Sequence, residues 1–201
     1  MYLCTPCRQG NKMNQLYELE VCGLKRELPF VDLNDGTAYA SFVVISDTEL
    51  ISAAARELMA QANDADIVLT IEAKGIALAY EISHLLQMKE FIVVRKSIKP
   101  YIKSYIQDAV HSITTEGEQD LFLDEADAKK IAGKRVAIVD DVISKGESLA
   151  AAERIVEKAG GIVCSKMAIL AEGAAADRKD IIYLQKLPLF KKVKDEYESF
   201  N

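Results

Sequence analysis

No apolar run in this chain approaches the roughly 20 residues that a membrane-crossing helix needs, although half of its 201 residues are apolar. The N-terminus has no basic stretch followed by an apolar one, so no secretory signal is expected. Cysteine is sparse. Four residues, at positions 4, 7, 22 and 164, do not make a disulfide scaffold in a chain of this size. Cys164 lies in an apolar stretch and is expected to be a buried thiol. Cys4-Thr5-Pro6-Cys7 has the look of half a zinc site, but only Cys22, His84 and His111 remain to complete it, at no recognisable spacing. Positive charge is short as well: 25 Lys and Arg stand against 31 Asp and Glu, for a net charge of −6. That balance argues against a general nucleic-acid binder, which wants a basic face. An acidic surface still allows a locally basic pocket. The expectation is a cytoplasmic protein with one sizeable core, without membrane or nucleic-acid partners.

What is present is an alternation of short apolar stretches and helical patterns. Residues 1–14 read as a flexible leader, and 15–201 as one domain. Pro29, Gly23 and the cluster Asn34-Asp35-Gly36 break residues 15–45 into short strands. Ser46 and Glu49 fit a capping box for a helix carrying Leu50, Ile51, Ala54, Ala55, Leu58 and Met59. Asp66–Ile71 and Phe91–Val94 are continuous apolar strands of the kind buried in a parallel sheet, with a helix from Ile76 between them. Strand and helix joined by short turns mean βαβ units. Residues 97–123 break the rhythm and read as a mobile lid lacking a strong apolar face. A short helix follows from Asp124 to Ile131. After it come two more strands, one from Val136 ending in Asp140-Asp141 and one over Ile162–Leu170, with a helix from about Gly146 to Ala159 between them. Ile181–Leu184 reads as a last short strand, and the charged tail from Lys191 as frayed. The fold class is α/β: a central, mostly parallel sheet with helices on both faces, plus a small hood from residues 15–45 and the C-terminal part.

The most informative stretch is Val136–Leu149, V-A-I-V-D-D-V-I-S-K-G-E-S-L. A buried strand ends in two carboxylates, Asp140 and Asp141, and runs through Ser144-Lys145-Gly146-Glu147-Ser148 into a helix. The carboxyl edge of such a sheet is where ligands bind. The turn offers backbone N–H groups, two hydroxyls and a helix N-terminus to an anion. Acids beside a phosphate cradle suit a phosphorylated sugar. A receiver-domain reading of the acid pair fails on position, because only about sixty residues follow Asp141, half of a common domain of roughly 120 residues.

This stretch resembles the donor-binding signature of type I phosphoribosyltransferases, with Asp140, Asp141, Ser144, Gly146 and Ser148 in matching places. Lys145 stands where Thr is usual, and Glu147 where a small residue is common. Lys145 adds positive charge near the phosphate, and Glu147 a negative charge at its rim. The resemblance covers about residues 46–190, and the order of motifs looks similar to the adenine-specific and other purine members. It implies that Glu72-Ala73-Lys74-Gly75 is the pyrophosphate turn, and that Arg95 and Lys96, joined by Lys99 and Lys103, meet the phosphates. It implies that Leu170-Ala171-Glu172-Gly173 leads into a wall of the base pocket, with Phe30, Val31 or Leu33 as candidates for its hood. Asp140 and Asp141 would hold the ribose hydroxyls, and Glu116 would act from the lid on the transition state or the base's proton. The implied reactants are phosphoribosyl pyrophosphate and a nucleobase, adenine ahead of xanthine, hypoxanthine, guanine or a pyrimidine. The implied ion is Mg²⁺, held mainly through substrate and water, and the implied assembly is a homodimer. A non-catalytic sensor of the donor is the alternative from another class. A dinucleotide-cofactor enzyme is disfavoured, because no G-x-G-x-x-G follows the first parallel strand.

Overall fold

The computed structural model describes residues 15–62, 64–110, 119–193 and 196–200. Three strands come first: β1 (Leu16–Val21), β2 (Leu24–Asp32) and β3 (Thr37–Ala40). The alternation then begins with α1 (Thr48–Met59), β4 (Ile67–Ile71), α2 (Ile76–Leu85) and β5 (Ile92–Val94). An antiparallel pair, β6 (Tyr105–Val110) and β7 (Gln119–Asp124), interrupts it. It resumes with α3 (Glu125–Ile131), β8 (Arg135–Ile143), α4 (Glu147–Lys158) and β9 (Ile162–Glu172). A 3-10 turn, Gly173–Asp177, leads into β10 (Ile182–Leu187), β11 (Leu189–Val193) and β12 (Glu196–Phe200).

The central sheet has the order β10-β9-β8-β4-β5, and every neighbouring pair is parallel. β4 reads Ile-Val-Leu-Thr-Ile with all five residues buried, as both-face coverage requires. One face packs against α1, α2 and the hood through Leu50, Leu58, Leu78, Ile82 and Phe190. The other packs against α3, α4 and the β6–β7 pair through Leu121, Leu123, Ile131 and Ile155. β4 and β8 lie side by side, with Thr70 opposite Val139, so the turns leaving their carboxyl ends open onto one edge. The hood is a second sheet, β1-β2-β3-β11-β12, antiparallel throughout.

Four expectations are corrected. The N-cap of α1 is Asp47 and not Ser46. Asp47 accepts from the Leu50 N–H at 3.1 Å, and Arg26 draws Asp47 and Glu49 away from a capping box, with contacts of 2.6 and 2.7 Å. The tail beyond Lys191 is strand, because β11 pairs with both β3 and β12 and Asp32 takes both Lys192 and Tyr197. Cys164 is exposed, since the first half of β9 turns alternate residues to solvent before the helices cover it. The 97–123 segment does have an apolar face: Val110, Leu121 and Leu123 are buried in the second core. Its tip, residues 111–118 with Glu116, lies outside the described residues, as do 1–14.

Charge fixes the β6–β7 pair to α4. Buried Asp108 accepts from Arg154 at 2.7 Å and from Lys158 at 2.7 Å, while Arg154 also reaches the Ala109 carbonyl. The Arg154 hydrogen bonds hold the Asp108 carboxyl below the usual range, burial opposes them, and Lys158 adds to the lowering. A depressed folded pKa gives stability that is present above the unfolded value and lost as pH falls through the folded one. Asp108→Asn should therefore cost about 1–3 kcal/mol near neutral pH, toward the low end because both cations are half exposed. The deficit, read by urea denaturation, should shrink in acid. A deficit independent of pH would mean that packing, and not charge, sets the position of the pair.

Candidate functional site

The site is built where β4 and β8 end. Glu72-Ala73-Lys74-Gly75 turns the chain from β4 into α2, and the Glu72–Ala73 peptide is cis. Gly75 is required here by space and not by its φ of −74°. A β-carbon would collide with the buried Thr70 hydroxyl and stand 3.1 Å from Asp140 Oδ1 and 3.2 Å from Asp140 Cα. The turn therefore lies directly on the end of β8. That contact delivers Lys74 to Asp141, with Nζ 2.7 Å from Oδ2.

Both acids belong to β8, and their carboxylates lie close enough for the Asp141 side chain to act on Asp140 by charge and by a hydrogen bond. Asp140 faces Gly75, and its Oδ1 accepts from the Asp141 N–H at 2.8 Å. Asp141 is buried, with its carboxylate 4% exposed against 47% for the Lys74 side chain. Asp141 is thus enclosed, not set on an open sheet edge as expected, because the turn after β4 covers it, while Asp140 is half-buried. Burial first, and the Asp141 carboxylate second, push the Asp140 pKa up.

The predicted cations gather around Glu72. Its carboxylate accepts from the Lys96 N–H at 3.1 Å and lies 3.5 Å from Arg95 Nη1. The Lys96 N–H is the largest cause of its lowered pKa, and burial opposes it. The Lys99 and Arg95 charges add to the lowering. Lys99 Nζ donates to Ser97 at 3.0 Å. Two backbone hydrogen bonds of 2.8 Å between Arg95 and Phe122 tie this edge to β7.

The turn after β8 ends at Gly146, which is left-handed at φ 82° and caps α4 without any side-chain hydrogen bond. Glycine suits that conformation. Ser144 and Lys145 are exposed, and Glu147 and Ser148 open the helix. Lys145 lies near enough to the hood turn for its charge to help lower Asp35, whose main partner is Thr37. A β-carbon on Gly146 would meet Arg178 Nη1.

Between the turns and the hood is a cavity of about 460 Å³, lined by Tyr39, Ser41, Phe42, Lys74, Val142, Ser144 and Glu172 among others. Residues 39–43 wall it, in place of the expected Phe30, Val31 or Leu33. Phe30 instead stacks on Tyr197 at 4.0 Å, and Val31 and Leu33 are exposed. The structure thus groups Lys74, Gly75, Asp140 and Asp141, and beside them Glu72, Arg95, Lys96 and Lys99. Glu116 lies outside the described residues. Sequence reading missed Thr70, the wall at 39–43 and Arg178. An apolar strand hides the first, and the other two reach the site only through the hood pairing and the exit of β9.

An acid with a raised folded pKa destabilises the protein as pH rises from its unfolded value through its folded one. Asp140→Asn keeps the acceptor for the Asp141 N–H and removes that charge. Its melting temperature should exceed that of the wild type at neutral and alkaline pH, by about 2–4 °C per kcal/mol relieved. The gain should vanish near pH 4. A constant difference across pH would remove Asp140 as the titrating group.

The description "Phosphoribosyl transferase domain" fits residues 44–195. A hypoxanthine/guanine phosphoribosyltransferase of Methanocella paludicola is 34% identical over 110 residues, 55% of this chain and 53% of that one. The chain thus spans about half the length of the hypoxanthine/guanine relatives it matches. An adenine phosphoribosyltransferase of Mycobacteroides abscessus is 32% identical over 129 residues, 63% of this chain and 69% of that one. The crystal structure of the adenine phosphoribosyltransferase of Rhodothermus marinus superposes with a TM-score of 0.60 at 22% identity, covering 86% of this chain and 94% of that one, a likeness of fold. With the acid pair, both turns and the hooded cavity in one family frame, the chain belongs to the phosphoribosyl transferase domain family.

Proposed function

We propose that this chain transfers ribose 5-phosphate from phosphoribosyl pyrophosphate to a purine nitrogen, adenine first, and releases pyrophosphate. The observation that carries this reading is the 2.7 Å contact between Lys74 and Asp141. It joins the turn suited to pyrophosphate to the acids suited to ribose, beside a cavity of about 460 Å³ that takes a planar base. The donor's 5′-phosphate lies in the Ser144–Ser148 turn, against backbone N–H groups and the N-terminus of α4. Its pyrophosphate lies between the Glu72–Gly75 turn and Arg95, Lys96 and Lys99. Asp140 and Asp141 accept the ribose hydroxyls.

As the bond from C1′ to the pyrophosphate oxygen breaks, positive charge builds on the sugar. The field of two carboxylates at that point favours it. The base nitrogen forms the new bond to C1′ and gives up its proton to the departing pyrophosphate or to water. Tyr39 and Phe42 supply ring surface near the base, and the Glu172 carboxylate accepts from a base N–H. An acceptor there suits the exocyclic amine of adenine or guanine, which hypoxanthine lacks. The hypoxanthine/guanine relative at 34% identity makes guanine and hypoxanthine the second reading.

Among the described residues no group of three or more His, Cys, Asp or Glu can hold a metal ion. Two acids alone fit Mg²⁺, which keeps several waters and binds through one or two carboxylates with substrate phosphates. Asp140 and Asp141 would stand nearest to it, with the donor's oxygens completing the shell. Bound there, Mg²⁺ would neutralise charge on the leaving pyrophosphate. A homodimer in the cytoplasm accompanies this reading, and no described helix is long and apolar enough to cross a membrane.

The test is turnover of phosphoribosyl pyrophosphate with Mg²⁺ and a panel of adenine, hypoxanthine, guanine, xanthine and a pyrimidine. Adenine should give the highest kcat/KM, and omission of Mg²⁺ should suppress transfer. Asp140→Asn with Asp141→Asn should keep the fold, since Lys74 is half exposed without its partner, and nearly abolish transfer. Preference for guanine or hypoxanthine would replace adenine. Donor binding without turnover of any base would point to a sensor, and full activity in the folded double variant would remove the assigned role of the acids.

A further inference from the structure

Arg178 follows the 3-10 turn that leaves β9, yet its guanidinium comes to rest over Gly146, at the start of α4. The side chain is fixed there. Nε donates to Asp180 Oδ1 at 2.9 Å and Nη2 to Asp180 Oδ2 at 2.7 Å, a bidentate fork. Asp180 also takes Lys166 at 2.6 Å, and Lys166 bridges at 3.2 Å to Glu153 on α4. The Arg178 and Lys166 hydrogen bonds hold Asp180 well below the usual carboxylate range. The clamp uses Nε and Nη2. Nη1, the nitrogen facing Gly146, has no acceptor among the described residues.

The placement has a physical consequence. The N-terminus of a helix carries partial positive charge, and a cation beside it is unfavourable unless an anion sits between them. Among the described residues no side chain hydrogen-bonds to the N-terminus of α4, and Glu147 is the acid in its first turn. A fixed cation, an uncapped helix N-terminus and a glycine that lets the two approach therefore converge on one anion position. We propose that Arg178 binds the 5′-phosphate of the donor through Nη1, with Asp180 as the positioning residue that sets the angle of the fork. This rests on the phosphoribosyl reading of the turn and adds to it a side chain from the segment between the 3-10 turn and β10. Arg178 closes over the phosphate from the β9 side, while the backbone of the turn cradles it from below. It also gives the turn a cation that is held in place by its partners.

Separate titrations of the full chain with ribose 5-phosphate and with pyrophosphate divide the two ends of the donor site. Wild type should bind both. Arg178→Gln should weaken ribose 5-phosphate about tenfold or more, the scale of one charge-assisted hydrogen bond, and leave pyrophosphate within about twofold. Arg178→Lys should restore part of the loss, and Asp180→Asn should fall between wild type and Arg178→Gln. In turnover, KM for the donor should rise more than kcat falls. Unchanged ribose 5-phosphate binding in Arg178→Gln overturns the inference and leaves the reading of the site intact. Equal loss of both ligands, or no rescue by Lys, overturns it too, because Arg178 would then only pack the turn. Should Arg178→Gln not fold, Arg178→Lys and Asp180→Asn carry the same comparison. Wild type that binds neither ligand nor the intact donor defeats the reading of the site itself.

Discussion

The turn after β4 can rest on the end of β8 only because Gly75 carries no side chain. Thr70 and Asp140 occupy the space that a β-carbon would need. Everything at the sheet edge follows from that approach. It sets Lys74 against buried Asp141, beside the cavity under the hood. Parallel pairing of β4 with β8 brings the strands together, but the missing side chain turns adjacency into contact. A closely set, partly buried carboxylate pair is costly, and the cost shows in the upward push on Asp140. A site that holds such strain when empty gains from a ligand that brings hydroxyl donors to it.

The same economy governs the cations. In the proposed reading, a chain of net charge −6 must still receive a highly anionic ligand. It does so without leaving its site cations bare. Lys74 is paired with Asp141, Arg95 approaches Glu72, and Arg178 is clamped by Asp180. Each pair keeps the empty site close to neutral and fixes the direction of the cation, which lowers the ordering that a ligand must impose. The pairs differ in what binding would disturb. Arg178 keeps Nη1 open with its clamp intact. Lys74 is half exposed and has donors to spare, so it can share Asp141 with a phosphate. Glu72 is held by the Lys96 N–H and by Arg95, and in the proposed reading it would have to share them with a pyrophosphate.

Much of the central sheet was legible because its signals are local. Continuous apolar runs such as Ile67–Ile71, glycine-marked turns and the acid pair of 136–149 each depend on a few adjacent residues. What failed depended on partners far along the chain. Arg26 moved the cap of α1 from Ser46 to Asp47, a competition no capping pattern contains. The tail beyond Lys191 looked too charged to order, yet β3 offered it a strand edge and Asp32 took Lys192 and Tyr197. In the candidate site, the turns were readable and the walls were not. Tyr39–Val43 and Arg178 carry no local mark, since their roles arise from the pairing of β3 with β11 and the exit of β9.

The β6–β7 pair links these two ends of the site mechanically. Its far side is held to α4 by Asp108, through Arg154 and Lys158, and α4 begins at the phosphate turn. Its near side is held at Phe122 by Arg95, on the edge that gathers around Glu72. The pair is thus tied to both turns, and its Leu121 and Leu123 give it the apolar face that its sequence did not suggest.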